Sequence, residues 1–450
     1  MEKKTSKNFV VRRPSDPRDT ALYVLLHVSE NGKKANVFLR EALDRADRLE
    51  PRDKALCEYI TQGTLSYLYS IDSVIGEYSR TPVSKLNPYV REILRLSVFQ
   101  MLYSDRIPVP AVINEAVELA KVHGIPGLSG YVNGVLRNIS RDMGKNTLEG
   151  KKDPAALKRI LKDGPVRWSV PAWLYKKLVD DFGYGGAEQI FTAWLTLRKT
   201  SVRFQLSKLS EEEILREITE DGIRAEKIEN DPPVYELEGL SGVGVASLKA
   251  FQKGHITVQD ASAALLGPVA APEKGSRILD ICAAPGGKSL LMADMTADSG
   301  EIEARDVSEE KTALIEENIR RCGFSSIHTS VHDALLEDKA LIGRMDLVIA
   351  DLPCSGLGVV AKKPDIKKNI TPESITELSK LQRDMLSVAV KYVRPGGKLI
   401  YSTCTITREE NENNAYWAAE NLGLKLYEMK RIMPDAHHDG FFIAGFTKIG

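Results

Sequence analysis

The chain has 450 residues, of which 43% are hydrophobic and 28% charged, an ordinary balance for a soluble globular protein. Lys plus Arg and Asp plus Glu number 62 each, so no overall field draws the protein onto polyanions, and any nucleic-acid contact must come from local patches. This length usually exceeds what one hydrophobic core serves, which predicts two or three domains.

The five cysteines are scattered along the chain without paired spacing. The start is polar and basic and leads into no secretory apolar segment, so this pattern predicts thiols in a reducing cytosol rather than disulfides. No stretch is long and apolar enough to span a bilayer. We therefore expect a cytoplasmic protein without a membrane partner.

The first third of the chain predicts helices only. Asp16 followed by Pro17 is typical of an N-cap and a first-turn proline, and Asn31 with Gly32 predicts the end of the first helix. Three later segments with apolar residues at helical spacing are 87–105, 109–123 and 130–143. We expect residues 1–145 to form an all-α domain with these apolar stripes in its core.

A polar stretch and then a mixed region follow. Residues 146–164 have the composition of a linker. Residues 202–206 and 234–239 predict strands, and Ser210 predicts the N-cap of a helix between them. Such short alternation predicts a small α+β accessory subdomain over residues 165–255.

The last part of the chain, residues 256–450, changes to alternating strands and helices. Four apolar runs short enough for buried strands are 276–285, 301–307, 345–353 and 397–405. Helix-like segments separate them, which predicts a parallel sheet covered on both faces, with ligands beyond the carboxyl ends of its strands. The positions of interest that each follow a predicted strand are Ala284, Asp306, Asp333, Asp351 and Cys404.

The segment DICAAPGGKS (280–289) ends a strand and opens a helix, and its glycines let the backbone approach a ligand closely. A dehydrogenase loop would show GxGxxG, which is absent. A phosphate-binding loop would need glycine at the position of Cys282, so GGKS is only its tail. A third interpretation is a methyltransferase loop that binds a nucleoside cofactor. Asp306 supports it as an acid that binds ribose hydroxyls, although a helix N-cap would also explain this aspartate.

Two further segments, DLPCSG and YSTCT, each place a cysteine just past a strand end. A buried cysteine is usually a small hydrophobe, and that explanation suits Cys57 and Cys322. It suits Cys354 and Cys404 less well, since both lie on the expected ligand side of the sheet. Two thiols that converge on one cleft suggest nucleophile chemistry.

In their order along the chain, these motifs closely resemble those of the RNA cytosine-5 methyltransferase family. The segments that carry the resemblance are VQDASA (258–263), DICAAPGGKS (280–289), DLPCSG (351–356), KKPDI (362–366), YSTCTITREENE (401–412) and DGFFIAGFTK (439–448). In the N-terminal part, RIPVPAVINEAVELAK and YVNGVLRNISR resemble the all-helical RNA-binding domain of the antitermination factor NusB. The combination resembles the Sun/Fmu-type subfamily, which acts on small-subunit ribosomal RNA.

The resemblance implies a multidomain enzyme: an all-α NusB-like N-terminal domain, a small α+β subdomain and a C-terminal α/β Rossmann-like class I methyltransferase domain. Its cofactor would be S-adenosyl-L-methionine, and its substrate a cytosine of 16S ribosomal RNA, methylated on carbon 5. Transfer RNA and 23S ribosomal RNA stay open as substrates, because the shared motifs read cytosine rather than its surroundings. A non-catalytic RNA-binding assembly or antitermination factor is the alternative from another class. Nothing demands an oligomer, so we expect a monomer.

The resemblance also implies roles for individual residues. Cys404 would be the nucleophile, Cys354 would assist proton removal or enzyme release, and Asp351 would hydrogen-bond the cytosine edge. Lys288 would orient the catalytic loops or simply pair with Asp280 or Asp351. The residues implied in cofactor binding are Cys282, Ala283, Ala284, Pro285, Gly286, Gly287, Lys288, Asp306 at the ribose, Asp333 at the adenine end, and Asp351.

Two other sets of polar residues give weaker signals. Lys362 and Lys363 stand where the family commonly has arginines, so a phosphate role would survive only as point charges. His437 and His438 form the one histidine cluster of the sequence, and a solvated pair explains them better than a metal site. We therefore expect no metal.

Overall fold

The computed structural model describes residues 8–105, 107–143, 161, 164–240 and 244–450. Its contacts divide the chain into two compact units. The helical unit comprises residues 1–195 together with 363–368, and the sheet unit comprises residues 196–362 together with 369–450. Within the described part of the chain, no helix has the length and apolar character needed to cross a membrane.

In the helical unit, the described residues up to position 142 form helices and no strands, as predicted. The helices are α1 (Pro17–Glu30), α2 (Ala35–Asp44), α3 (Pro51–Ser66), α4 (Leu68–Tyr78), α5 (Pro88–Tyr103), α6 (Val109–Val122), α7 (Pro126–Asp142) and α8 (Ala172–Leu195), with a 3₁₀ turn at Val83–Lys85. One hydrophobic cluster, drawn from α1 to α7, fills the space between them. The predicted linker, 146–164, lies outside the described residues except at positions 161 and 164.

The local sequence explains where α1 begins and ends. The Asp16 carboxylate accepts a hydrogen bond from the backbone N–H of Arg18 at 2.9 Å, which satisfies one of the unpaired donors of the first turn. Pro17 stands in that turn, where a missing backbone N–H leaves no helical hydrogen bond unmade. The helix is capped at its other end by Asn31. Both predicted boundaries are confirmed.

Two segments from later in the chain complete the helical unit. The Ser169 hydroxyl accepts hydrogen bonds from the backbone N–H groups of Tyr69 (3.0 Å) and Ser70 (3.3 Å), in the first turn of α4. The buried side-chain nitrogen of Lys367 donates to the carbonyl oxygens of Ser66 (2.6 Å) and Ser169 (2.8 Å). By contacts, α8 groups with these helices, whereas the sequence placed it in the accessory subdomain. The predicted domain boundaries stay predictions.

The sheet unit begins with a small antiparallel sheet. Its strands are β1 (Thr200–Phe204), β2 (Arg224–Asn230), β3 (Pro233–Glu238) and β4 (Ile256–Val258), in the order β2-β3-β1-β4. The predicted strands at 202–206 and 234–239 are confirmed as β1 and β3. Ser210 caps α9 (Glu211–Glu220) in a reciprocal capping box with Glu213. The charged edge strand β2 and the three-residue β4 were not predicted.

A seven-stranded sheet forms the larger part of this unit. Its strands are β5 (Arg277–Asp280), β6 (Glu301–Asp306), β7 (Ile327–Val331), β8 (Met345–Asp351), β9 (Val393–Thr403), β10 (Leu424–Ile432) and β11 (Phe441–Lys448), in the order β10-β11-β9-β8-β5-β6-β7. The strands from β5 to β9 pair in parallel. The chain runs outward from β5 first through β6 and β7 and then through β8 and β9, so β5 and β8 flank the topological switch point at which such sheets bind ligands.

The prediction of a purely parallel sheet is wrong at one edge. Strand β11 is antiparallel to β9, and β10 is antiparallel to β11. The connection between β10 and β11 spans residues 433–440, and such a short connection joins antiparallel rather than parallel neighbours.

Helices cover both faces of the large sheet, as predicted. The remaining helices of the chain are α10 (Lys249–Gln252), α11 (Ala261–Ala264), α12 (Leu266–Ala270), α13 (Gly287–Met295), α14 (Glu309–Cys322), α15 (Ile366–Asn369), α16 (Pro372–Tyr392) and α17 (Glu412–Asn421), with a 3₁₀ turn at Val245–Ser247. Of these, α15 falls mostly within the helical unit. In β8, Val348 and Ala350 pack into one hydrophobic cluster with α16 and α17, while Leu347 and Ile349 pack into the other with α13 and α14. Both faces are therefore apolar, which explains the continuous apolar run in the sequence.

Candidate active site

A cavity of about 430 Å³ opens at the carboxyl ends of the parallel strands. The predicted site residues that line it are Cys282, Ala284, Asp306, Asp333, Asp351, Cys354 and Cys404. They come from separate strand ends and are brought together because parallel strands end at the same edge of a sheet.

Five predicted cofactor residues do not line this cavity: Ala283, Pro285, Gly286, Gly287 and Lys288. The loop after β5 turns into α13 at Gly286, whose φ of 104° is a conformation that favours glycine. A Cβ added there would lie 3.2 Å from Cγ2 of Ile315. These residues therefore shape the loop, while Cys282 and Ala284 face the cavity.

Asp306 is held firmly at the end of β6. One carboxylate oxygen accepts from the backbone N–H of Ala284 at 3.0 Å, and the other accepts from the N–H of Val307 and from Lys311 Nζ, both at 2.8 Å. The helix N-cap explanation for this aspartate is wrong, because Ser308 caps α14. The oxygen that accepts from Ala284 can take a second hydrogen bond, so Asp306 can still receive a hydroxyl donor from the cavity.

Asp351 forms the centre of a polar cluster at the cavity. Lys288 Nζ donates to its Oδ2 at 2.5 Å and Ser402 Oγ donates to its Oδ1 at 2.8 Å. Burial opposes the charge on Lys288, but the Asp351 carboxylate prevails and raises the pKa of Lys288 above its ordinary value. Two partners were predicted for Lys288, and its hydrogen bond is to Asp351. Asp280 instead accepts from Ser289 Oγ at 2.8 Å.

The two motif cysteines meet at the cavity wall. The sulfur atoms of Cys354 and Cys404 lie 3.3 Å apart, in contact but far beyond the roughly 2.05 Å of a disulfide. The hydrogen bond with Cys404, together with burial, raises the pKa of Cys354 well above its ordinary value. Cys354 therefore keeps its proton and can donate it to the Cys404 sulfur in a hydrogen bond. Burial also raises the pKa of Cys282, so this third cavity thiol stays protonated.

Several cavity residues were missed in the sequence. They include Lys311, His332, Leu381 and Met385. Leu381 and Met385 are one turn apart on α16, a spacing that also describes ordinary core packing. His332 adjoins the predicted Asp333, and this proximity was the one signal that could have pointed to it.

The remaining polar predictions lie elsewhere. Lys362 Nζ is paired with Asp260 at 2.5 Å and with Asp439 at 2.8 Å, so carboxylates of the protein already balance its charge, which argues against the predicted phosphate role. His437 contacts Glu236, and His438 contacts Asp435. Among the residues that the structure describes, no group of three or more His, Cys, Asp or Glu side chains is arranged to hold a metal ion.

Comparison with known proteins places this site in a family. A family model described as 16S rRNA methyltransferase RsmB/F matches residues 268–447, and the NusB family model matches residues 15–141. The chain is 33% identical over 396 residues to the Bacillus subtilis (strain 168) protein named "Probable ribosomal RNA small subunit methyltransferase B", with 88% of this chain and 86% of that protein covered. The chain belongs to the ribosomal RNA small subunit methyltransferase B family. A second family member, from Synechocystis sp., is 30% identical over 452 residues, which cover 96% of this chain and 99% of that protein.

Solved structures share the fold of this chain. The crystal structure of PH0851 superposes with a TM-score of 0.78 at 25% identity and covers 99% of this chain and all of that one. NSun6 from Pyrococcus horikoshii, crystallised with SFG, gives a TM-score of 0.57 at 23% identity over 62% of this chain and 98% of that one, and supports the fold. The NusB-like and Rossmann-like predictions are confirmed. The protein is a methyltransferase, which removes the phosphate-loop interpretation and the non-catalytic alternative.

The cavity fits S-adenosylmethionine, the methyl donor of the family. Asp306 offers carboxylate oxygens at the end of β6, where a ribose diol can donate hydrogen bonds to them. Leu352, Leu381 and Met385 also line the cavity and are available to pack against an uncharged ring.

Proposed function

We propose that the protein transfers a methyl group from S-adenosylmethionine to carbon 5 of a cytosine in 16S ribosomal RNA, with Cys404 as a covalent nucleophile. The description of the matching family model and the names of the relatives support the RNA target. The observation that carries the chemistry is the thiol pair, Cys354 and Cys404, whose sulfurs lie 3.3 Å apart beside the cavity. A methyltransferase that acts on an already nucleophilic atom needs neither thiol.

Carbon 5 of cytosine is a poor nucleophile, so the ring must be activated before it can accept a methyl group. In the proposed reaction, the Cys404 thiolate forms a bond to carbon 6, and the electrons of the 5,6 double bond make carbon 5 enamine-like. When bound, S-adenosylmethionine supplies the electrophilic methyl group that carbon 5 attacks. A base then accepts the carbon 5 proton, and the electrons of that carbon–hydrogen bond restore the double bond while the carbon–sulfur bond breaks and Cys404 leaves as a thiolate.

We assign Asp351 to the cytosine edge. Lys288 and Ser402 hold its two oxygens, and the carboxylate lines the cavity. A carboxylate fixed in this way can accept a hydrogen bond from the exocyclic amine of cytosine and so orient carbon 6 toward Cys404.

We assign Cys354 to the second half of the reaction, where it assists proton removal or enzyme release. In the resting enzyme, its raised pKa makes it a hydrogen-bond donor to the Cys404 sulfur. Once Cys404 has bonded to carbon 6, the Cys354 sulfur is the neighbouring group beside the bond that must break.

Some of the predicted cofactor residues would contact S-adenosylmethionine, and the others would support the loop that holds it. Asp306 would accept hydrogen bonds from the ribose, Asp333 would contact the adenine end, and Cys282 with Ala284 would face the methionine part. The other loop residues, Ala283 and 285–288, would act by fixing the loop in place.

The proposal is tested with 16S RNA whose cytidines carry tritium on carbon 5. We expect tritium release to match the methyl groups transferred, and Cys57→Ala to behave like wild type because Cys57 lies in the helical unit. Methyl transfer without tritium release would contradict the carbon 5 assignment. Activity on transfer RNA or 23S RNA but not on 16S RNA would leave the chemistry standing and replace the target.

A further inference from the structure

A buried glutamate lies beneath the two cysteine loops. Glu410 is 0% exposed, and its carboxylate accepts from the backbone N–H of Ser355 (2.8 Å), the Ser355 hydroxyl (2.6 Å), the Thr407 hydroxyl (2.7 Å) and the Gln382 amide (3.2 Å). An ionised carboxylate is costly to bury unless hydrogen bonds satisfy it, and here four donors do so. This arrangement fixes the positions of all the donors around one point.

The donors connect Glu410 to both catalytic loops. Ser355 directly follows Cys354, and Thr405 directly follows Cys404. The hydroxyls of Ser355 and Thr405 lie 2.6 Å apart. Because the single hydroxyl hydrogen of Ser355 is donated to the carboxylate, Thr405 must be the donor of this second bond. A continuous chain from Thr405 through Ser355 to Glu410 therefore ties the two loops together.

The next residue, Asn411, holds the Cys404 loop from both sides. Its side-chain oxygen accepts from the Thr403 hydroxyl at 2.6 Å, and its amide nitrogen donates to the carbonyl oxygen of Thr405 at 3.0 Å. The residues before and after Cys404 are thus both anchored to the turn that carries Glu410. Neither Glu410 nor Asn411 lines the cavity.

We propose that Glu410 is a positioning residue that sets the distance between the Cys354 and Cys404 thiols. The role of that distance in catalysis rests on the proposed function, whereas the positioning itself does not. Without the carboxylate, Ser355 and Thr407 lose their common acceptor, and the remaining link between the two loops, from Ser355 to Thr405, loses its anchor.

The positioning is tested through the reaction between the thiols, independently of RNA. With hydrogen peroxide as the oxidant, the two thiols give up two protons and two electrons to form a Cys354–Cys404 disulfide, and peroxide is reduced to water. We expect the disulfide, mapped by peptide mass, to form at least ~10-fold more slowly in Glu410→Ala than in wild type, and Glu410→Gln to lie between them. Glu420→Gln, an exposed glutamate on α17, is the matched control and should react at the wild-type rate.

Steady-state kinetics supply the second measurement. We expect kcat to fall on the order of 100-fold in Glu410→Ala with little change in KM for RNA, because misplacing reacting groups by about 1 Å has such an effect on the chemical step. If Glu410→Ala fails to fold, Glu410→Gln decides the question in the same assays. Wild-type rates of disulfide formation and turnover in the folded variant would overturn the proposal. Slower disulfide formation in a Glu410 variant, when wild type itself shows no cytosine methylation, would support the positioning and reject the proposed function.

Discussion

Replacing Asp280 by Asn should change how the stability of the sheet unit depends on pH. Asp280 is 1% exposed at the end of β5, where Oδ2 accepts from Ser289 and Oδ1 has no hydrogen-bond partner among the described residues. Burial, with a smaller contribution from the charge of Asp351, raises its pKa from 3.8 to about 7, although Ser289 and Lys288 act in the opposite direction.

The direction in which the free energy of unfolding changes with pH follows from proton binding. Between the unfolded and folded pKa values, the folded protein keeps a proton that the unfolded chain has lost, so the free energy of unfolding decreases as the pH rises through this window. From about pH 5 to pH 8, the decrease due to Asp280 amounts to about 2–3 kcal/mol. An amide at this position carries no charge at either pH, so Asp280→Asn removes this decrease.

Urea unfolding is monitored by hydrogen exchange in peptides that cover β5, because this readout reports on the unit that holds Asp280. The difference in free energy of unfolding between Asp280→Asn and wild type should be about 2–3 kcal/mol more favourable to the variant at about pH 8 than at about pH 5. Asp384→Asn, on the exposed face of α16, is the control and should show no such difference. An equal effect of Asp280→Asn at both pH values would refute the reasoning.

Three further substitutions test other parts of the structure. Gly286→Ala should weaken S-adenosylmethionine binding measured by calorimetry and destabilise the protein by about 1–3 kcal/mol because of its positive φ, whereas Gly343→Ala, also at positive φ but in open space, should lower stability without changing this affinity. Asp306→Asn should reduce cofactor affinity at least ~10-fold in the same titration, because charged hydrogen bonds contribute about 1.5–3 kcal/mol, and unchanged affinity would contradict its ribose role. Lys367→Met should destabilise the helical unit by about 1–3 kcal/mol in thermal unfolding, since the carbonyls of Ser66 and Ser169 lose their donor, and exposed Lys363→Met should not.

The position of the site could be predicted because a few residues at strand ends determine it. Asp306, Asp351 and Cys404 each follow an apolar run, and parallel strands bring such ends to one edge whatever the intervening helices do. The same reasoning located the glycine-containing loop between β5 and α13.

Other features could not be predicted, for identifiable physical reasons. An apolar run does not reveal strand direction, so the antiparallel pair β10–β11 was missed at the edge of the sheet. Leu381 and Met385 look like core residues by spacing, although they line the cavity. The pairing of Lys362 with Asp260 and Asp439 depends on residues far apart in the chain, as does the capping of α4 by Ser169. Local patterns carry no information on such long-range contacts.

The covalent step is tested most directly by searching for RNA bound to the enzyme on a denaturing gel. Labelled 16S RNA is incubated with S-adenosylmethionine and with wild type, Cys354→Ala, Cys404→Ala or the double variant. The account predicts that Cys354→Ala accumulates a covalent protein–RNA complex, that the complex disappears in the double variant, and that Cys404→Ala transfers no methyl groups. Normal methyl transfer by Cys404→Ala would contradict the central claim that this thiol is the nucleophile.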